Sequence, residues 1–354
     1  MRETVTNLLK QEDALMLNSR NVYKVGFGPK TGANSFAQSG VKVAAALDRF
    51  PEFKSGFFSW EPFDLDELMN FDVLIFIKYI PDMNMLKALK VRGKVLILDY
   101  QDTFLYPSVY EKNVVRRILK WLYYCKTESY LSRAYAMLDG CMICTPLLRN
   151  VVIRAGMKPL ELPRQIYNDE NENVYKPFPM KTEGVVLYWT GVSLNQKQNE
   201  PIVPVLKRMH ECHGCRILYD TDQIGEYNWI EYRMFDNKTW AKDILDADVA
   251  FRWRDTSNLQ EFKDPNKVQG YMAAGLPVVI HPTASERLIV EDGKTGFFAN
   301  SVAEFEYILL RLIQNPQLRH EVGMAAHAAV WKHSSLKIHV ECLREHLLTL
   351  LGAP

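Results

Sequence analysis

Two lysines and an asparagine stand at the start of a predicted helix, where they could bind an anion. Lys263, Asn266 and Lys267 belong to the segment 262–280, which reads FKDPNKVQGYMAAGLPVVI. Pro265 suits the first position of a helix, because its missing N–H would be unpaired there, and apolar residues follow at helical spacing. The start of a helix presents unpaired N–H groups and the positive end of the helix dipole. We therefore expect this helix start to bind a diphosphate, with Lys267 one turn inside the helix.

A second group of candidate residues lies in the N-terminal half, in the loop that follows the first predicted strand. It consists of Gly28, Lys30, Thr31 and Gly32. Glycines allow tight turns and a close approach of the backbone to a ligand. The spacing differs from the G-x-G-x-x-G pattern of dinucleotide-binding loops. We expect the loop to face a bound substrate on the strength of its position more than of its composition.

Asp102 is the candidate carboxylate of the N-terminal half. It follows the predicted strand 94–98 in the sequence DYQD. The carboxyl ends of parallel strands are where α/β proteins bind their ligands. Asp102 is thus placed to orient a hydroxyl group of a substrate, and the alternative is that it caps a turn or a helix.

Two series of alternating strands and helices must position these residues. The predicted strands are 22–27, 72–77, 94–98 and 141–144 in the first series, and 185–189, 216–219, 249–253 and 276–280 in the second. Short apolar runs of this kind are typical of parallel strands that are buried on both faces. The order predicts an α/β protein with two Rossmann-like, doubly wound domains that face a central cleft.

The domain boundaries follow from the composition between these series. We predict an N-terminal domain over 1–165, a polar linker over 166–183, a C-terminal domain over 184–335, and a helix over 336–354 that crosses back to the first domain. Within the second domain, Ser301 and Glu304 have the spacing of a capping box, and they predict the start of a helix.

The composition is that of a soluble globular protein. Of the 354 residues 47% are hydrophobic and 24% are charged, and the formal net charge is +1. No apolar run approaches the ~20 residues needed to span a bilayer, and the N-terminus lacks the apolar core of a signal peptide. We therefore expect a cytoplasmic protein, and no basic–aromatic pattern suggests that it binds nucleic acid.

The segment 112–126 raises the question of a membrane surface. It reads KNVVRRILKWLYYCK, and its cationic residues with Trp121, Tyr123 and Tyr124 suit a peripheral membrane contact. The alternative is a helix that covers the sheet and turns a basic face to water, and we favour that interpretation.

Two kinds of motif suggest metals. Cys141/Cys144 and Cys212/Cys215 have C-x-x-C spacing, which occurs in zinc sites. The first pair, however, lies in a predicted strand that enters a turn, and the second connects the end of a predicted helix to the next strand. D-x-D motifs, which bind metal in some transferases, occur three times, at Asp64/Asp66, Asp220/Asp222 and Asp246/Asp248. We interpret all of these motifs as structural and expect no metal and no cofactor.

The helix and strand around Lys267 resemble a known family. The pattern P-N-K-x-x-x-Y-M-A-A-G-L-P-V-V, followed by E-D-G-K-T-G-F-F, is similar to the C-terminal signature of group-1 glycosyltransferases. These are the retaining, glycogen-synthase-like enzymes of the GT-B fold. The resemblance is specific over 262–325, weaker over 184–260, and only architectural in the N-terminal half.

The chain departs from the family inside this signature. Gly270 stands where the family has a glutamate that holds the donor ribose, and Phe262 stands where it has a partner glutamate. A carboxylate at Glu286 could take over the contacts with the sugar or the ribose. Glu261 and Asp264 are alternatives for the same role.

The resemblance also assigns a role to the end of the strand 185–189. Gly191 and Lys197 match the family pattern G-R-x-x-x-x-K, whose Arg and Lys face the diphosphate, but Val192 replaces the Arg. Replacements for that missing cation are available near the same edge of the sheet: Arg252, Arg254, Lys263 and Lys267.

The resemblance implies transfer of a sugar from a nucleoside-diphosphate donor, UDP- or GDP-linked, to a hydroxyl acceptor on a glycan, a lipid or a protein. It further implies retention of the anomeric configuration and no need for a metal. Two alternatives stay open: a catalytically silent GT-B scaffold that binds a glycan or protein partner, and a GT-B nucleotide-sugar epimerase.

Overall fold

The computed structural model describes residues 22–32, 34–59, 63–101, 114–115, 118–119, 132–163, 182–254 and 263–353. Three predictions therefore fall wholly or mainly outside the described residues: the role of Asp102, the role of Glu261, and the membrane contact through 112–126. Most of the linker 166–183 and most of the long helix expected before residue 138 fall outside them as well.

The first half of the chain is built on a six-stranded parallel sheet. Its strands are β1 (Tyr23–Gly28), β2 (Phe53–Phe57), β3 (Val73–Ile77), β4 (Val95–Asp99), β5 (Gly140–Ile143) and β6 (Pro159–Glu161), in the order β2-β1-β3-β4-β5-β6. The central strands are buried throughout because they carry runs such as VLIFI in β3.

Helices connect these strands. They are α1 (Asn34–Phe36, a π-helical turn Ala37–Lys42, and Val43–Leu47), α2 (Leu65–Met69), α3 (Met83–Val91) and α4 (Pro146–Arg154). Their starts follow ordinary capping rules. The Asp82 side chain accepts hydrogen bonds from the first turn of α3, and Thr145 caps α4, in which proline takes the first position.

The second half repeats this architecture. Its strands are β7 (Val186–Thr190), β8 (Arg216–Thr221), β9 (Glu231–Met234), β10 (Val249–Arg252), β11 (Val278–Ile280) and β12 (Phe297–Phe298), all parallel, in the order β12-β11-β10-β7-β8-β9. The order reverses between β7 and β10, and a crevice forms at the carboxyl ends of strands at such a reversal.

The helices of the second half are α5 (Val203–His213), α6 (Trp240–Asp243), α7 (Asn266–Ala273), α8 (Val302–Gln314), α9 (Pro316–Ser334) and α10 (Leu336–Leu351). A helical segment of 3-10 type, Ser193–Ile202, precedes α5. The predicted capping box opens α8, because the Ser301 hydroxyl accepts from the Glu304 N–H and the Glu304 carboxylate accepts from the N–H of Asn300.

The last helix, α10, packs against the first sheet. Val340, Leu343 and Leu347 belong to the same buried cluster as Val25 of β1 and Ile97 of β4. The helix therefore contributes to the first core, together with α1, although it follows the second sheet in the sequence. Among the described helices, none is long and apolar enough to cross a membrane.

Candidate functional site

Cationic side chains converge at the carboxyl ends of β7 and β10. We call Arg252, Arg254, Lys263 and Lys267 the cation cluster. Arg252 ends β10, Arg254 follows two residues later, and Lys267 lies in the first turn of α7. The other three cations each lower the pKa of Lys267, which indicates that the four charges lie close enough to repel one another. Arg252 and Arg254 are almost fully buried.

Lys267 points toward the end of β7. Its Nζ lies 5.5 Å from the centroid of the Trp189 ring, in a cation–π arrangement. A Cβ added at Gly191 would fall 2.6 Å from the same Nζ. The Trp189 ring would also lie 2.6 Å from that Cβ, so the space beside Gly191 is filled and favours a residue without a side chain.

Glu286 is the carboxylate that the described structure brings to the cation cluster. Its side chain is fully buried. Its Oε1 lies 3.6 Å from Arg252 Nε and 3.4 Å from Arg254 Nη2. Its Oε2 accepts hydrogen bonds from the Thr283 N–H at 3.0 Å and the Thr283 hydroxyl at 3.1 Å. Glu286 thus faces two arginines and a threonine, and its contact with a sugar or ribose hydroxyl stays a prediction.

The pKa shifts express an excess of positive charge. Burial lowers the pKa of Lys267 well below 10.5, and Arg252, Arg254 and Lys263 lower it further. Burial and the neighbouring Arg254 likewise lower the pKa of Arg252, and Glu286 opposes this shift only in part. A ligand with two or more negative charges would relieve this repulsion, because opposite charges nearby favour the charged form of each cation.

The start of α7 lies in the same place. The helix begins at Asn266, one residue later than expected, and Pro265 is its N-cap residue, without a side-chain hydrogen bond to the first turn. Gly270 is buried one turn after Lys267. The Ser285 hydroxyl donates to the Lys263 carbonyl at 2.6 Å, and this bond ties the Glu286 loop to the segment that leads into α7.

Lys197, by contrast, is not brought into this group. It lies on the segment Ser193–Ile202 with an exposed side chain. Neither a hydrogen bond nor an ion pair joins Lys197 to another residue in the described part of the chain. Its contact with a diphosphate stays a prediction.

The N-terminal glycine loop is anchored to its own sheet. The Lys30 N–H donates to the Phe58 carbonyl at 2.9 Å. A Cβ at Gly28 would lie 2.5 Å from the Phe58 ring, so packing against this ring explains the glycine. Lys30 and Gly32 are exposed and Thr31 is half-buried. The loop therefore remains a candidate by its position at the carboxyl end of β1.

One described contact joins the two sheets near the cation cluster. The Cys144 thiol, after β5, donates a hydrogen bond to the Asp264 carboxylate, before α7. This bond occupies one oxygen of Asp264, which was an alternative for the ribose contact. The C-x-x-C spacing had suggested zinc at Cys144, and no group of metal-ligating side chains is found among the residues that the structure covers.

The three D-x-D motifs have structural partners. Asp64 caps α2 through the Asp66 N–H, and Asp248 accepts from the Val186 N–H at 2.8 Å. Asp220 and Asp246 bind Arg233, and the Asp222 carboxylate accepts from the Ser193 N–H at 2.6 Å. All of these contacts join residues within the same half of the chain.

Comparison with known proteins shows similarity at the level of the fold. No protein-family model matches the sequence, and no curated protein is similar enough to count as a relative. A glycosyltransferase from Rickettsia africae has a TM-score of 0.66 and 12% identity, over 94% of this chain and 100% of that one. Anabaena Alr3699/HepE in complex with UDP-glucose has a TM-score of 0.64 and 12% identity, over 92% and 100%.

A putative UDP-N-acetylglucosamine 2-epimerase from Listeria monocytogenes is also similar, with a TM-score of 0.56 and 12% identity over 94% of this chain and 97% of that one. All three similarities extend over nearly the whole of both chains. Together with the two parallel six-stranded sheets, they show that this chain has the GT-B fold.

Proposed function

We propose that this protein is a glycosyltransferase that moves a sugar from a nucleoside-diphosphate sugar to a hydroxyl acceptor. The cation cluster carries the proposal: Arg252, Arg254 and Lys267 lie close together at the crevice of the second sheet, with Glu286 beside the two arginines. Such a site suits an anion with more than one charge. UDP and UDP-glucose complexes of the similar Anabaena protein support a UDP-linked donor.

The chemistry that the cluster would supply is stabilisation of the leaving group. When the bond between the sugar and the diphosphate breaks, negative charge develops on the diphosphate. Preformed cations and helix N–H groups in a site with little water stabilise that charge strongly. Lys267 and the start of α7 would bind the departing diphosphate together with the two arginines, in place of a divalent metal.

The stereochemistry that we propose is retention. In this mechanism the acceptor hydroxyl attacks from the side that the diphosphate leaves, and the diphosphate takes the proton of the hydroxyl. No carboxylate then has to lie beneath the sugar as a nucleophile. Glu286 faces the arginines with one oxygen and Thr283 with the other, and this arrangement agrees with that requirement. The acceptor would be a hydroxyl on a glycan, a lipid or a protein.

The second candidate is a nucleotide-sugar epimerase, which the similarity to the Listeria protein favours. It would use the same cation cluster to bind the diphosphate but would need no acceptor. A catalytically silent scaffold is the third interpretation. It is motivated by Phe262 and Gly270, which stand where the family has glutamates.

A titration followed by a turnover assay separates the three. We expect UDP to bind the wild-type protein and to bind Arg252→Met much more weakly, because the methionine fills space without charge. UDP-glucose, UDP-N-acetylglucosamine and GDP-mannose are then incubated with and without simple glycoside acceptors, in EDTA. Transfer of the sugar supports the proposal, isomerised donor without acceptor supports the epimerase, and absence of nucleotide binding contradicts both.

A further inference from the structure

Glu286 is buried between two arginines in a way that hydrogen bonding does not explain. The distances from Glu286 Oε1 to Arg252 Nε and Arg254 Nη2 are 3.6 and 3.4 Å. These are longer than good N–H···O bonds, which measure about 2.7–3.2 Å, but both are within the range of an ion pair. One carboxylate oxygen therefore serves two guanidinium groups by charge more than by directed hydrogen bonds.

The carboxylate is held in this position from the other side. Glu286 Oε2 accepts from both the N–H and the hydroxyl of Thr283, and Thr283 is itself buried. The Ser285 hydroxyl fixes the same loop to Lys263. The charge of Glu286 is therefore placed by its own loop and does not depend on the arginines for its position.

This charge has two opposite effects. In the empty protein it offsets the repulsion between Arg252 and Arg254, because buried charges that lack a counter-charge are strongly destabilising. When a diphosphate enters the cation cluster, the same carboxylate lies close to the ligand and repels it, because like charges in a poorly hydrated site interact strongly. A residue with only a packing role would stabilise the fold but would not repel the ligand.

We propose that Glu286 is an internal counter-anion: it positions the Arg252–Arg254 pair in the empty site and limits the affinity of that pair for a diphosphate. The inference rests on the proposed function, since it assumes that the cation cluster binds the donor. Its consequence is that the nucleoside diphosphate formed by transfer leaves more readily than the number of cations alone would allow. Glu286 is thus a positioning residue that sets product release, and it does not contact the sugar.

The variant Glu286→Gln tests this because its two effects have opposite signs. We expect the unfolding midpoint of the empty protein to fall, since the arginines lose their counter-charge. We expect the dissociation constants of UDP and of inorganic pyrophosphate to decrease about tenfold, as a unit charge close to the ligand is removed. Glu291→Gln is the matched control, because Glu291 lies in the same region but is exposed and pairs with Lys294.

A loss of affinity in Glu286→Gln, or no change, would overturn the proposal, since a residue that merely supports the fold would weaken both stability and binding. The double variant Arg252→Met/Glu286→Gln gives an independent readout of stability. If Glu286 balances the arginines, this variant is more stable than Glu286→Gln, because it loses one positive charge together with the negative charge of Glu286. If it is no more stable, the balance does not exist and the proposal fails.

The double variant also separates the two proposals. Should the wild-type protein bind neither UDP nor pyrophosphate, the proposed function fails. The stability of the double variant then still decides whether Glu286 acts as a counter-charge to Arg252. Should UDP bind to the wild type but not more tightly to Glu286→Gln, only the role of Glu286 in release is contradicted.

Discussion

The second sheet carries two charge clusters of opposite design. In the first, which we call the balanced cluster, Arg233 donates to Asp220 at 2.5 and 3.0 Å and to Asp246 at 2.8 Å. The Tyr188 hydroxyl also donates to Asp220, at 2.6 Å, and the Trp240 indole N–H donates to that hydroxyl at 2.8 Å. In this cluster each charge has an opposite charge within hydrogen-bond distance.

The cation cluster has longer ion pairs among its described residues. Its described carboxylate, Glu286, lies 3.4–3.6 Å from two arginines. The effect on the pKa values differs accordingly. Burial opposes the charge of Arg233, but its hydrogen bonds with Asp220 raise its pKa above the ordinary value, whereas burial lowers the pKa of Arg252. An arginine thus has close carboxylate partners in the balanced cluster and longer contacts with a carboxylate in the cation cluster.

The difference separates a structural role from a binding role. A closed set of charges stabilises the fold and offers nothing to a ligand. A set with excess charge costs stability and is maintained where a ligand completes it. Mutations in the two clusters should therefore act on different quantities.

The largest effect is expected in the balanced cluster. Asp220→Ala leaves the Tyr188 hydroxyl without its acceptor, while Arg233 keeps Asp246 and the Asp243 carbonyl. We expect the free energy of unfolding to fall by about 3 kcal/mol in urea denaturation. Glu231→Ala on the neighbouring strand is the control, because Glu231 pairs with Arg216 at the surface and should cost about 0–1 kcal/mol. Equal losses in the two variants would show that the balanced cluster is not a stabilising unit.

The next effect concerns binding by the cation cluster. Lys267→Ala should weaken UDP binding by about 1.5–3 kcal/mol, the value of a hydrogen bond to a charged group. The free energy of unfolding should not fall by a comparable amount, because a repelled cation is removed. Isothermal titration and urea denaturation measure the two quantities. Unchanged affinity would contradict the assignment of the diphosphate to this cluster.

A third prediction uses pH. Because the pKa of Lys267 in the folded protein lies well below 10.5, the unfolded chain binds more protons than the folded chain between those two values. The stability of the empty protein should therefore rise with pH in this window, by up to about 1.4 kcal/mol per pH unit.

The measurement compares urea denaturation from about pH 7 to about pH 9.5, below the ordinary pKa of tyrosine of about 10. Lys267→Met removes the titrating group, so the rise contributed by Lys267 should be missing from this variant. Identical slopes in the two proteins would mean that Lys267 keeps an ordinary pKa.

The smallest effect is expected at Lys197. Its side chain is exposed on the segment Ser193–Ile202, and exposed charges contribute little. Lys197→Ala should change UDP affinity by less than about 0.5 kcal/mol. A loss as large as that of Lys267→Ala would mean that the cleft rearranges when nucleotide binds and brings Lys197 to the diphosphate, as the family resemblance implies.

The sequence predicts the interior of each sheet and misses its edges. Every internal strand in the described part of the chain overlaps a predicted apolar run, whereas the four edge strands, β2, β6, β9 and β12, were not predicted. The reason is physical. An edge strand has one neighbour and is partly open to water, so sequences such as FKSGF in β2 and EYRM in β9 carry no continuous apolar signal.

The site shows a similar division. Lys267 and the start of α7 follow local rules of capping and spacing, and those rules identified them, whereas Gly191 was identified through the family resemblance. The contact of Glu286 with Arg252 and Arg254 depends on how a loop after β11 folds back over the end of β10. Sequence spacing does not contain that information. The sequence therefore identified Glu286 as a candidate but did not predict its contact with the two arginines.

The helix α10 bears on the order in which the protein acquires its structure. Translation delivers β1 to β6 first, yet Val340, Leu343 and Leu347, which cover one face of that sheet, are synthesised last. Residues of α1 such as Val43 and Leu47 already cover part of this face, and the part that α10 covers stays exposed until the second half of the chain has left the ribosome. Incompletely covered sheets of this kind are prone to aggregate. We expect that the first half, produced without residues 336–351, requires chaperones or precipitates, whereas supplying those residues as a separate peptide restores a soluble domain.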